Sequence, residues 1–218
     1  MAILLPHEDT ADQGLVDLVG RSGYTIYPRY YMFKQWARNV RHGAVRVSTT
    51  SDNADLHVTA FKEGSTCYIV ATSYRYNNPN TYVPATVDVT FHCPSITGAV
   101  GHIRTSSTEN YATKANLTPS GNSFTVSIPG NTINTFIVPG PLPPELQIPS
   151  QTGRSIQEQG CRLRLTGTPN AFYATEHSPD LEQWQPLSAN QFLGVPLDLL
   201  DPGATNVPTR FYRARLVQ

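Results

Sequence analysis

The chain has 218 residues with 16 Lys and Arg against 16 Asp and Glu, so its formal net charge is zero. Such a balance gives no field to draw it onto nucleic acid or an anionic membrane, and neither is expected as a partner. Eighteen prolines and fifteen glycines imply many turns between short strands and predict an all-β class.

From the N-terminus, Ala2-Ile3-Leu4-Leu5 is a short apolar run, and residues 1–9 lack the long apolar core of a signal peptide. Residues 15–19 and 24–27 flank the turn signal Gly20-Arg21-Ser22-Gly23 and read as a small hairpin. A helix is predicted over 28–42: Pro28 suits a first turn, Gly43 a left-handed terminus, and Arg38 and Arg41 complement the dipole at its end. Phe33, Trp36, Ala37 and Val40 recur at i, i+3, i+4 and i+7, and this stripe is expected to be the covered face.

The aromatic pair Tyr30-Tyr31, this short helix, and Trp36-Ala37-Arg38-Asn39-Val40-Arg41-His42-Gly43 before an alternating strand resemble a junction in family 30 glycoside hydrolases. There the last barrel helix leads into a side β-domain through wording close to Phe-Ser-x-Phe-Ile-Arg-Pro-Gly. Arg41 and Gly43 match it, while His42 stands in place of the proline. The resemblance covers roughly residues 15–140. It implies a side β-sandwich, an extracellular setting and a polysaccharide partner such as xylan or glucan. It also implies contact with a catalytic barrel, or self-association, through the N-terminal region. The family's two catalytic glutamates belong to a barrel that would precede this point, and only 27 residues do. No catalytic residue is therefore carried over, and the chain is expected not to be an enzyme.

Beyond the helix, strands are predicted over 45–49, 56–61, 67–74, 86–92, 100–105, 123–128 and 132–138, with Lys62-Glu63-Gly64-Ser65 as a hairpin loop. Val87, Val89 and Phe91 share one face, as do Phe124, Val126 and Ile128, which is the pattern of half-buried strands in an antiparallel sandwich. This first unit is set at 1–140. Residues 141–149 are read as a proline-rich linker, since Pro139-Gly140-Pro141-Leu142-Pro143-Pro144 favours extended polyproline geometry. A smaller β-module is set at 150–218, with strands over 162–166, 171–177, 183–187 and 210–217 and a core of Leu163, Leu165, Trp184 and Tyr212. Its stretch from His177 to Trp184, with the terminal Arg210-Phe211-Tyr212-Arg213-Ala214-Arg215, resembles small C-terminal β-modules appended to secreted bacterial enzymes.

Gly-x-Ser-x-Gly, Walker, His-Glu-x-x-His and dinucleotide motifs are all missing from the sequence, so no cofactor and no metal are expected. Asp52-Asn53-Ala54-Asp55 offers oxygens in a turn but lacks the glycine and distal glutamate of a specific calcium loop. Cys67, Cys93 and Cys161 are an odd set without ligand spacing, and a Cys67–Cys93 pairing stays open. The functional signal is aromatic. Tyr74, Tyr76 and Tyr82 surround the loop that holds Asn78 and Asn80; rings of this kind stack on sugar CH groups while amides take hydroxyls. Trp184 is a further candidate. The same tyrosine spacing fits cross-strand packing at a sandwich rim, so accessory carbohydrate binding, a purely structural role and a hydrolase with an unrecognised site all remain open.

Overall fold

A computed structural model describes residues 14–19, 23–73, 76–77, 81–82 and 86–217. By its internal contacts the chain divides into two units, Met1–Gly140 and Pro141–Gln218. The apolar run Ala2-Ile3-Leu4-Leu5 lies outside the described residues.

In the first unit the elements run β1 (Val16–Val19), β2 (Gly23–Ile26), α1 (Pro28–Ala37), β3 (Val45–Val47), β4 (Leu56–Glu63), β5 (Thr66–Ser73), β6 (Tyr76–Asn77) and β7 (Thr81–Tyr82). They continue with β8 (Val87–His92), β9 (Gly101–Thr105), β10 (Ala112–Thr113), β11 (Ser123–Ile128) and β12 (Thr132–Pro139). A six-stranded sheet, β10-β9-β12-β5-β4-β3, faces the pair β11-β8, and the hairpins β1-β2 and β6-β7 stand apart. Every pairing is antiparallel. Between β4 and β5 the turn needs only two residues, Gly64 and Ser65, and Gly64 takes the left-handed φ of +57° that a glycine supplies without strain.

Alternation on β8 and β11 does what the sequence predicts. Phe91, Phe124 and Ile128 are buried against Leu56, Ala60, Ile69 and Phe136 of the larger sheet, closing a sandwich core. Phe91 stacks on Phe124 with centroids 5.0 Å apart and meets Phe136 at 4.9 Å. Outward, Thr90 and Thr125 share a hydroxyl hydrogen bond of 2.9 Å. Cys67 and Cys93 pack against this core as free thiols, and burial pushes the Cys93 thiol up to about 11, with neighbouring Cys67 adding to the shift.

Helix α1 corrects the expected stripe. It ends at Ala37 instead of 42, and Phe33 is 60% exposed with Ala37 also exposed, while Gln35 and Asn39 are the buried residues. The reason lies in what the helix covers. β12 and β9 turn Thr135 and Thr105 toward it, so a polar side chain is what satisfies that surface. Gln35 donates through Nε2 to Thr105 Oγ1 at 2.8 Å and accepts from Thr135 Oγ1 at 2.6 Å. Asn39 then folds back to donate to the Gln35 carbonyl at 2.8 Å, which caps the helix.

A second network closes the loop after β9. Glu109 accepts from Arg104 and, at 2.8 Å, from Lys114; these bonds, that to Arg104 first, hold its carboxyl at about 2. A depressed carboxylate stabilises the fold above its unfolded value, near 4.5, and loses that contribution as pH falls through the folded value. Thermal stability of the first unit should therefore decline between about pH 4.5 and 2. Glu109→Gln should flatten that decline and lower Tm at neutral pH by a few degrees, about 1 kcal/mol. A wild-type Tm unchanged down to pH 2 would contradict the assignment.

In the second unit the elements are β13 (Glu145–Gln147), α2 (Gly153–Gln159), β14 (Cys161–Thr166), β15 (Phe172–Ser178), β16 (Gln185–Gln191), β17 (Leu197–Asp201), a 3-10 turn (Pro202–Asn206) and β18 (Phe211–Val217). Two three-stranded sheets, β13-β14-β17 and β16-β15-β18, enclose Leu163, Leu165 and Tyr173, all fully buried. The segment read as a linker carries β13, and Leu142 is tied at both ends: its N–H donates to Thr168 Oγ1 and its carbonyl accepts from the Tyr173 hydroxyl. Asp201 is the buried polar hub. It pairs with Arg210 and accepts from Gly203 N–H and the Tyr212 hydroxyl, and burial together with that carboxylate pushes the Tyr212 phenol well up. Among the described residues no helix is long and apolar enough to cross a membrane.

Candidate functional site

Of the residues singled out in the sequence, Tyr76 and Tyr82 are brought together, as direct cross-strand partners in the β6-β7 hairpin, with Asn77 opposite Thr81. Tyr74, Asn78 and Asn80 lie outside the described residues.

Trp184 belongs to the second unit and is half-buried instead of a core residue. Its turn is fixed by Ser178 Oγ, which accepts from the N–H groups of Asp180 and Leu181, and by Asp180 Oδ1, which accepts from those of Glu182 and Gln183. The indole N–H donates to the Leu181 carbonyl at 3.1 Å. Arg213 lies with its guanidinium 4.0 Å from the ring centroid and is paired with Glu176 at 2.7 Å. Arg215 and Arg213 hold the Glu176 carboxyl below the usual range. One face of the Trp184 ring is thus occupied by a cation–π contact.

A groove that sequence reasoning missed lies in the first unit, on the outer face of the six-stranded sheet beside the end of α1. Residues of β5 alternate there, Cys67, Ile69 and Ala71 toward the core and Thr66 and Tyr68 away from it. Register then sets the groove floor: Tyr68 is opposite Ile137 of β12, and Thr66 opposite Glu63 of β4. Arg38, Asn39 and Arg41, at and just beyond the helix C-terminus, form the wall, and the open volume is about 470 Å³. Clefts of about 300–1,000 Å³ are the size that holds small ligands.

Not all of its polar groups are available. The Asn39 amide is committed, donating to the Gln35 carbonyl and accepting from the Tyr111 hydroxyl at 3.3 Å. Arg38 and Arg41 are exposed, and among the described residues neither has an ion-pair partner. The groove therefore offers an aromatic ring, two free guanidinia, a threonine hydroxyl and one carboxylate, Glu63. Glycoside hydrolysis requires two carboxyl groups about the scissile bond, and the lining provides one. Among the described residues no group of His, Cys, Asp and Glu could hold a metal ion, the 52–55 turn included: Asn53 Oδ1 is taken by the Asp55 N–H.

No protein-family model matches the sequence. The glucuronoxylanase XynC of Bacillus subtilis (strain 168) is 34% identical over 115 residues, which cover 52% of this chain and 26% of that protein. About half of the chain is similar to part of a family 30 xylanase. The matched stretch is longer than the whole second unit, so it extends into the first. Among solved structures, a family 30 endoxylanase from Clostridium papyrosolvens C71 is 30% identical, with a TM-score of 0.47 over 53% of this chain and 28% of that one. A family 30 subfamily 8 xylanase, Xyn30A from Clostridium acetobutylicum, is 23% identical, with a TM-score of 0.46 over 53% and 29%. The chain spans about a quarter of the length of these relatives. The family 30 resemblance read from residues 36–43 thus agrees with the overall sequence similarity, and the described residues form sheets instead of a catalytic barrel.

Proposed function

We propose that this chain is a non-catalytic accessory part of a polysaccharide-degrading glycoside hydrolase, working outside the cell on xylan or glucan, and that its first unit binds the saccharide chain. The observation that carries this reading is the open groove beside α1 in a chain half of which matches a quarter of a glucuronoxylanase. A pyranose ring stacks its CH groups on an aromatic face and bonds its hydroxyls to neighbouring donors and acceptors, which here are Tyr68 with Thr66, Arg38, Arg41 and Glu63. Tyr76 and Tyr82 of the β6-β7 hairpin, with Tyr74, Asn78 and Asn80 near them in sequence, are proposed as a second saccharide contact, and Trp184 as a separate one belonging to the second unit alone.

Electrophoresis through gels loaded with neutral arabinoxylan or β-glucan tests this. The chain should be retarded, Tyr68→Ala should lose most of the retardation at temperatures where circular dichroism shows the unit still folded, some loss of Tm being expected because Tyr68 is half-buried, and Tyr76→Ala with Tyr82→Ala should weaken it further. Free migration in every neutral gel would refute saccharide binding, and release of reducing ends from xylan would refute the non-catalytic assignment. A packing role is the second reading. Met32 at 43% and Phe33 at 60% exposure leave an apolar side of α1 that suits contact with a catalytic barrel, or with a second copy, through the N-terminal region.

A further inference from the structure

We propose that Cys67 and Cys93 are a modification site, the two halves of a cross-link between the sheets of the first unit that a disulfide donor oxidises while Cys161 stays a thiol. Parity turns both side chains inward. Cys67 lies on the core side of β5 with Ile69 and Ala71, and Cys93 follows Val89 and Phe91 at the same spacing as β8 ends, so each packs against the sandwich core from its own sheet. The segment after β8 then sets them at one end of the sandwich. Thr97 donates its N–H to the Pro139 carbonyl at 2.9 Å and its hydroxyl to that of Gly140 at 3.2 Å, while the Gly140 N–H donates to the Ser65 carbonyl at 2.8 Å. A Cβ built on Gly140 would lie 2.6 Å from the Ser65 carbonyl oxygen and 4.0 Å from that of Ser95, so these two serines meet at one point. Cys67 stands two residues beyond Ser65 along β5, and Cys93 two residues before Ser95 on the way back to β8. Inward side chains that face each other at one end of a sandwich are placed to bridge its sheets once their Cβ atoms come within about 4.5 Å.

The environment also orders the chemistry. Both side chains are only partly buried, which leaves a small donor access to them. Burial raises the Cys67 thiol, but the ammonium of Lys62, its cross-strand partner, partly offsets that, whereas Cys93 has no such offset and stands at about 11. Cys67 is therefore the better nucleophile. Its thiolate attacks a disulfide of the glutathione type and expels one donor thiolate; the Cys93 thiolate then attacks the Cys67 sulfur of the mixed disulfide and expels the second. Two protein thiols are oxidised, one donor disulfide is reduced to two thiols, and two protons pass from protein to donor. Cys161 is buried in the second unit, which holds no other cysteine, so it is left reduced. The pairing does not depend on saccharide binding, and the extracellular setting proposed above is the oxidising kind in which disulfides persist.

Oxidised glutathione at about pH 8.5 tests this on the full reduced chain, added to the folded protein and, in a second arm, present during refolding from urea. Thiols titrated after denaturation should fall from three to one, and the mass should drop by two hydrogens. A digest kept free of reductant should yield one linked peptide pair holding Cys67 and Cys93. The transition of the first unit, followed by Trp36 fluorescence, should rise by about ten degrees and return on addition of dithiothreitol. Cys161→Ser should form the same link. Cys93→Ser should stop with glutathione held on Cys67, while Cys67→Ser should take up glutathione at least about threefold more slowly; equal uptake by the two variants would overturn the order of attack. The wild-type thiol count needs no variant to fold. Three thiols left in both arms, glutathione retained on Cys67 or Cys93 of the wild type, or a link made through Cys161 would each overturn the proposal.

Discussion

Gly160→Ala should unfold the second unit under conditions where the wild type is folded, at a cost of about 3 kcal/mol or more. Gly160 ends α2 with φ 89° and ψ 176°, a region that residues with a Cβ scarcely enter. Space is denied as well as conformation. A Cβ built there would overlap the Asp201 carbonyl oxygen and lie 2.8 Å from the Pro202 Cα, and neither of these backbone atoms can rotate aside. The next residue, Cys161, pairs with Asp201 in the β14-β17 ladder, so relief would have to open the ladder at the residue that also holds Arg210, Gly203 and Tyr212. Calorimetry, with the fluorescence of Trp184 for the second unit and Trp36 for the first, should show the transition of the second unit moved far down and that of the first in place. A shift under about 1 kcal/mol would mean that this approach of two backbones is not tight.

The same position shows why parts of the fold were legible and others not. Gly160, together with Thr152 three residues before the Ser155 N–H that it caps, brackets α2 with ordinary start and stop signals. The segment between them holds one apolar residue with a described side chain, Ile156, so periodicity gave nothing to read. β17, with Leu197, Leu199 and Leu200 beside Asp198 and Asp201, has no clean alternation either. Where one face was apolar and the other polar, as on β8 and β11, period two fixed the strands and their inward side together. The candidate groove could not be read because its lining comes from 38–41, 63–68 and 137, and only the registers Glu63↔Thr66 and Tyr68↔Ile137 bring these together. The tyrosines near residues 74–82 drew attention because they are adjacent in sequence, which is the kind of site a linear reading favours.

Helix α1 is where periodicity pointed to the wrong face, and the consequence is measurable. Gln35→Ala should destabilise the first unit by about 2–3 kcal/mol, through a buried void and two threonine hydroxyls deprived of their best partner. Gln35→Met, which fills the same volume without polar atoms, should cost about 1 kcal/mol less, since only the hydrogen bonds are lost. The loss is bounded because Thr135 and Thr105 keep longer contacts of 3.4 Å to the carbonyls of Gln35 and Tyr31. An apolar stripe holding the helix predicts the reverse order, with Phe33→Ala the most damaging, yet Phe33 is largely in solvent and its removal should change stability by no more than about 0.5 kcal/mol. Function should follow the same fastening. Arg38 and Asn39 leave the helix one turn after Gln35, so Gln35→Ala should weaken polysaccharide retention even at temperatures where the unit remains folded, whereas Phe33→Ala should not. Urea titration of the three variants, read beside their gel mobilities, decides the matter. Equal destabilisation by Gln35→Ala and Phe33→Ala would show that the polar contacts with Thr105 and Thr135 do not hold α1 against the sheet.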